Sequence, residues 1–393
     1  LLREGAMTEL DHGLQERQRR WLCLEPTDTL FFRDGRPFDP TSRASSGLPN
    51  PQVLAGAVRT EMLRYADIDL ARLGDCIRGG QGFETAASQA GGRLGEQIAN
   101  TGFRGPYIGR KDDAGKRDIL FYPAPATLRR SPERGVKDDI VRLDPLCTDH
   151  GLPGWKPNAE SMVPLWTRDR NTLKPLDDTW ITREGMSAFL SGKTPLPGHL
   201  VRSDDLYGFD DRTGIAVDSD IGTAREGMIY ATRRLVLRSG VRFWAQVEGS
   251  LEVLDLLPNE DECRLLPFGG EGRHIAVTGH DPNDGPLTPR AEPAQKPGHG
   301  RCLVLITPAF LNGWHPSNLD LLSAAVPGHV PVSGWDLARG GPKPTRFAVK
   351  AGSVYFLSAG NDGSPGAGLG AVQDTLLGWG EYCEGVWYDA FNL

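Results

Sequence analysis

Residues 22–38, LCLEPTDTLFFRDGRPF, and 45–65, SSGLPNPQVLAGAVRTEMLRY, decide how the chain is read. Leu22 to Pro26 is a short apolar run, which predicts a buried strand. It leads into a loop, Thr29 to Phe38, that mixes aromatics with Arg33 and Arg36 around Asp34 and Gly35. A second turn, Ser45-Ser46-Gly47-Leu48-Pro49, delivers Asn50-Pro51 to a helix start, since Asn is a favoured N-cap and Pro fits the first helical position. Leu54, Val58, Met62 and Tyr65 recur every three to four residues and predict the buried stripe, with Gln52, Arg59 and Leu63 largely off it. A strand, a basic loop and a free helix N-terminus form a candidate anion site, because unpaired backbone N–H groups and the helix dipole both favour phosphate.

Working outward, the chain has 393 residues, 39% hydrophobic and 24% charged, enough for a large core and an expected two domains. No apolar run approaches the roughly 20 residues that span a bilayer. Residues 1–20 are polar, with no signal-peptide core, so a cytoplasmic address and no membrane partner are expected. The chain opens on Leu1, and Met7 is read as a candidate natural start. Six scattered cysteines form no CxxC pair, which points to buried thiols rather than a zinc site or disulfides. A net charge of −7 argues against a free-standing, non-specific nucleic-acid binder, though not against a local basic patch within an assembly.

Further along, residues 67–110 are Gly-rich and weakly patterned, and 111–226 carry many prolines, aspartates and tryptophans with few clean strands. Met228–Arg238 and Val241–Gly249 flank Ser239-Gly240 and are expected to pair as a hairpin. Ser250–Leu257 reads as a short helix and His274–Thr278 as a strand. With 67–226 set aside as an irregular insertion, the order is β-α-β-β-α-β, the ferredoxin-like or RRM arrangement. The fold expected is therefore α+β, with two ferredoxin-like (RRM-like) domains, the first carrying that long insertion. The divisions are an N-terminal extension at 1–20, a first domain at 21–280, a linker at 281–300 and a second domain at 301–393. Between helix and strand lies Gly269-Gly270-Glu271-Gly272-Arg273, where glycines permit close backbone approach and Arg273 offers a phosphate partner.

No catalytic constellation stands out. Ser187–Thr194 nearly spells a phosphate-binding loop, but Ser187 replaces its first glycine and the segment follows a helical pattern instead of a strand. The eight histidines show no HExxH spacing, and no GxSxG elbow occurs. No cofactor is expected.

LEPTDTLFFRDGRPFD followed by LAGAVRT resembles the third-subunit family of the Cmr (type III-B CRISPR) effector complex, in the RAMP superfamily of RNA-binding proteins. Further blocks carry the same resemblance in order: Thr213–Asp218 with Thr223–Gly227, the glycine loop, Gly334-Trp335-Asp336-Leu337, Pro342-Lys343-Pro344 and Ala351–Tyr355. The resemblance implies a non-catalytic subunit that grips the repeat-derived 5′ tag of a guide RNA. It also implies bridging between a large polymerase-like subunit and a RAMP backbone subunit, with target RNA as a further partner. On this reading Arg33, Asp34, Gly35, Arg36, Ser45, Ser46, Asn50, Gln52, Arg59, Arg225, Gly269, Gly270, Gly272 and Arg273 contact RNA, with Phe31, Phe32 and Phe38 as stacking candidates. Two alternatives stay open: a metal-independent RAMP endoribonuclease processing CRISPR precursor RNA, with His274 as its only nearby base, and a scaffold that touches no RNA.

Overall fold

The computed structural model describes residues 17–32, 47–111, 115, 117–131, 139–147, 162–218, 220–292, 300–358, 366 and 368–389, with residues 216 and 224–231 described by backbone alone. Their α+β architecture is built on two antiparallel sheets. The first has eight strands, in chain order β1 (Gln18–Pro26), β2 (Gly102–Lys111), β3 (Asp118–Pro123), β4 (Thr179–Thr182), β5 (Leu200–Arg202), β8 (Val241–Gly249), β9 (Arg264–Pro267) and β10 (His274–His280). Their spatial order is β5-β4-β3-β2-β8-β1-β10-β9. The intervening β6 (Tyr207–Val217) and β7 (Ala224–Leu237) leave this sheet and pair with each other as a long hairpin.

Alternation along β1 divides its side chains between two cores. Leu22 and Leu24 join one cluster with helices α1 (Pro51–Tyr65), α2 (Leu70–Arg78) and α3 (Phe83–Ala99). Trp21 and Cys23 join another, with α4 (Arg183–Leu190) and the second sheet. That second sheet comprises β11 (Gly300–Leu305), β12 (Leu321–Ala325), β13 (Val354–Leu357) and β14 (Tyr382–Trp387), in the order β12-β13-β11-β14. At the junction of the two sheets Glu381 is buried. It accepts hydrogen bonds from Tyr107 Oη, from Gly105 N at 3.3 Å and from Arg104 Nη1 at 3.4 Å. Burial, more than any other influence, pushes its carboxyl up from the ordinary range.

Helix α1 starts where its sequence predicts: Asn50 Oδ1 accepts from Val53 N at 3.1 Å and Pro51 takes the first turn. Its buried face differs from the expected stripe. Leu63 is buried and Tyr65 is 57% exposed, because α1 packs against α3 as well as the sheet, while the Arg264 guanidinium covers the Tyr65 ring at 3.9 Å.

The expected hairpin between 228–238 and 241–249 does not form. Ser239-Gly240 does turn the chain, with Val241 N donating to Arg238 O at 3.0 Å, but the two flanking strands part there. β7 pairs back on β6, whereas β8 inserts between β1 and β2. Alternation marks both segments as strands but does not specify which partner each takes. Nor is the 67–226 stretch irregular throughout. It supplies α2, α3, α4, the strands β2–β5 and β6. Its strand β2 (GFRGPYIGRK) escapes a pattern reading because three glycines and a proline interrupt the apolar alternation. One of those glycines is required by packing: a Cβ on Gly109 would stand 2.6 Å from the Trp244 ring. α4 also settles the near-match at 187–194, whose first half lies on a helix and whose glycine follows it.

Candidate nucleic-acid interface

Beyond Pro26 the chain leaves the sheet and runs between the base of the β6–β7 hairpin and the glycine loop. Thr27 donates to His274 O through its Oγ1 at 3.1 Å, and Leu30 exchanges reciprocal backbone hydrogen bonds with Leu235 at 2.9 and 2.8 Å. Phe31 O accepts from Gly270 N at 2.8 Å, and Phe32 meets Phe268 edge-on at 5.4 Å. Three segments far apart in sequence thus share one node: 27–32, 234–235 and 268–274.

The glycine loop fits this node closely. Phe268 N donates to Arg273 O at 2.8 Å, closing a turn in which Gly269, Glu271 and Gly272 all have positive φ, at 85°, 57° and 64°. A Cβ on Gly269 would lie 2.5 Å from Phe31 O, so no side chain fits there without moving the backbone. Phe31 and Phe32 are correspondingly buried and serve the core, not base stacking.

Three arginines ring the node, each beside a carboxylate. Arg273 pairs with Asp28 across the strand exit, Arg234 Nη2 lies 2.6 Å from Glu271 Oε2, and Arg212 Nε lies 2.7 Å from Asp210 Oδ2. Asp28 is held below the usual carboxylate range, first by a backbone hydrogen bond from Thr29 and then by Arg273 and Arg212. On the opposite hairpin face Arg233 covers the Phe209 ring at 4.3 Å.

Of the sequence-predicted residues, Gly269, Gly270, Gly272 and Arg273 lie in the node. Arg33, Asp34, Gly35, Arg36, Ser45, Ser46 and Phe38 lie outside the described residues, flanked by Phe32 and Gly47, whose O and N are hydrogen-bonded at 3.3 Å. Arg225 is on β7, with its side chain outside the described residues. Asn50 spends its side-chain oxygen on the α1 cap. Gln52 Nε2 donates to Ser333 O at 3.2 Å, tying α1 to the C-terminal half. Arg59 is an internal strut. Its guanidinium donates to Ala99 O at 2.7 Å and Thr101 O at 2.9 Å between the rings of Phe83 and Phe103, and burial lowers its pKa to about 10.

Arg212 and Arg234 do not stand out in the sequence. Their signal is present as Asp210-Asp211-Arg212 and Arg233-Arg234, but it becomes legible only once those segments are paired, with Asp210 opposite Arg234.

Beside the node a cleft of about 1280 Å³ opens between the two sheets, with Phe32, Asn50, Tyr107, Trp180, Phe209 and Trp379 among its lining residues. Among the described residues no group of three or more His, Cys, Asp or Glu is placed to hold a metal ion. No helix among them is long and apolar enough to cross a membrane.

No curated protein matches the chain. Among solved structures it is similar to a chain of the type III-B Cmr-beta complex bound to cognate target RNA and AMPPnP, at 14% identity, TM-score 0.47 and 86% coverage of each chain. It is also similar to a chain of the Csm3–Csm4 subcomplex of the type III-A interference complex, at 14% identity, TM-score 0.34 and coverage of 86% of this chain and 94% of that one. A chain of the Csm1–Csm4 cassette with AMPPNP matches at 11% identity and TM-score 0.31, with 88% of each covered. The family model for the CRISPR-associated protein Cas_Cmr3 matches residues 22–387, nearly the whole chain. The chain belongs to the Cas_Cmr3 family, RAMP-superfamily subunits of the type III-B Cmr effector complex.

Proposed function

We propose that this subunit recognises guide RNA without performing chemistry on it, gripping the repeat-derived 5′ tag at the node formed by the strand exit, the hairpin base and the glycine loop. The observation that carries the reading is the convergence of Arg212, Arg234 and Arg273 on one surface beside the glycine turn. Arginine pairs bidentately with phosphate and stacks on bases, which suits a single strand whose bases are splayed. Arg33, Arg36, Ser45 and Ser46 enter the same strand–helix connection and extend the grip, and Arg225 adds an interaction farther along the hairpin. Two ferredoxin-like units, 21–280 and 301–393, joined by the 281–300 linker, form the scaffold. The inner strands of the two sheets support that division. β10-β1-β8-β2 and β14-β11-β13-β12 share one topology, each running fourth, first, third, second. In the assembled particle the subunit bridges the large polymerase-like subunit to the first RAMP backbone subunit, with target RNA passing nearby.

Affinity for 5′-tag RNA in reconstituted complex tests this reading, using Arg33→Ala with Arg36→Ala and Arg234→Ala with Arg273→Ala. Each double variant is expected to weaken capture and flatten the dependence of log affinity on log salt by about 1.4, at roughly 0.7 for each phosphate no longer neutralised. Unchanged affinity and salt slope in both would refute it.

A further inference from the structure

Among the described residues, each of the three guanidiniums of the node is already engaged by an acid of the same chain. Arg273–Asp28 links the glycine loop to the strand exit, Arg234–Glu271 links the hairpin to the glycine loop, and Arg212–Asp210 lies within the hairpin. Within these three pairs the charges cancel. The exposures are unequal. Arg234 and Arg273 side chains are 15% and 18% exposed, against 32% and 56% for Glu271 and Asp28, so the carboxylates lie on the solvent side of the cations. The Nε atoms of Arg234 and Arg273 are themselves buried without a hydrogen-bond partner among the described residues, leaving part of each guanidinium's donor capacity unused.

We infer that Asp28 and Glu271 form an electrostatic gate over this site, occupying the guanidinium edges that RNA phosphates take and yielding only to a strand that brings two phosphates at once. The inference rests on the RNA reading of the node. Each pair is open to water on its carboxylate side, so the acid is weakly held and can be exchanged, whereas an arginine–phosphate interaction is charge-assisted and bidentate. A single phosphate competes poorly with an acid tethered beside its partner, because tethering gives that acid a high effective concentration. A threaded strand supplies neighbouring phosphates on one backbone, so displacement of the first acid brings the second phosphate into range, and counterions are released with both. The site is thereby closed to inorganic phosphate and nucleoside monophosphates, which bring one phosphate at a time.

The test uses the purified full-length chain and a mixed-sequence single-stranded 20-nucleotide RNA, with affinity followed across a salt series. Asp28→Asn with Glu271→Gln keeps size and hydrogen-bonding capacity while removing both charges. It is expected to tighten binding roughly fivefold, from two carboxylates that no longer compete for the arginines, with the salt slope unchanged because the same two phosphates are neutralised in either protein. The gain should vanish when Arg234→Ala and Arg273→Ala are added, as a double-mutant cycle requires. If the acid variant leaves affinity unchanged while the arginine variant weakens binding, the gate is wrong and the RNA reading stands. If neither pair of substitutions changes binding, both fall. If the acid variant lowers only the melting temperature, the pairs are structural tethers and the gate is overturned.

Discussion

Helix α1 and the node around Arg273 use arginine in opposite ways. Arg59 gives its hydrogen bonds to two uncharged carbonyls, from Ala99 and Thr101, and lies between two phenylalanine rings. No ligand can take those partners without separating α1 from the end of α3. Arg234 and Arg273 instead face single carboxylates at the surface, partners that another anion can replace. The difference teaches that what an arginine is bonded to, more than its exposure or its neighbours in sequence, separates a structural cation from one available for binding.

Breaking this contrast has graded consequences. Arg59→Ala should produce the largest loss of stability, about 3 kcal/mol, because two buried carbonyls are deprived of their donor and the cavity between the rings is not refilled. Denaturant unfolding would measure it, and the salt slope of RNA binding should not move in the folded variant. Gly269→Ala is expected to cost about 2 kcal/mol, from a positive φ and the clash of its Cβ with Phe31 O. Because the glycine loop carries Arg273, that substitution should also weaken RNA binding, which Arg59→Ala should not.

The buried carboxylate at the sheet junction sharpens the same point from the acidic side. Glu381 has its pKa raised by burial above the ordinary 4.5, so the folded state holds a proton that the unfolded chain has released. Its contribution to stability is complete below pH 4.5 and is lost as pH rises through the higher folded value. Melting temperatures across that window should fall more steeply for the wild type than for Glu381→Gln. The smallest effect belongs to Gln52→Ala, about 0.5–1 kcal/mol for one hydrogen bond to Ser333 O, readable by the same unfolding assay.

Local signals carried much of the fold. The α1 cap, the strand at 22–26, the short helix beginning after Ser250 and the strand from His274 follow from capping chemistry and periodicity, which depend on neighbouring residues alone, although that first strand in fact begins at Gln18, inside the expected N-terminal extension. Pairing is not local, and there the sequence misled. β7 and β8 are adjacent in the chain with a glycine turn between them, yet each finds a different partner. The same limit applies to the site. The glycine loop was legible because three glycines fall within the four residues ahead of Arg273. Arg234 became part of the site only through the Leu30–Leu235 bridge, a juxtaposition of residues about two hundred positions apart. Arg59 misled because a helix's polar face becomes internal once a second helix covers it.

The most direct measurement is ultraviolet crosslinking of tag-bearing guide RNA in the assembled complex, with crosslinked peptides identified by mass spectrometry. The account predicts RNA-linked peptides covering 27–32 and 265–275, and none covering 52–62. RNA-linked peptides confined to other parts of the subunit, with the node left bare, would contradict it.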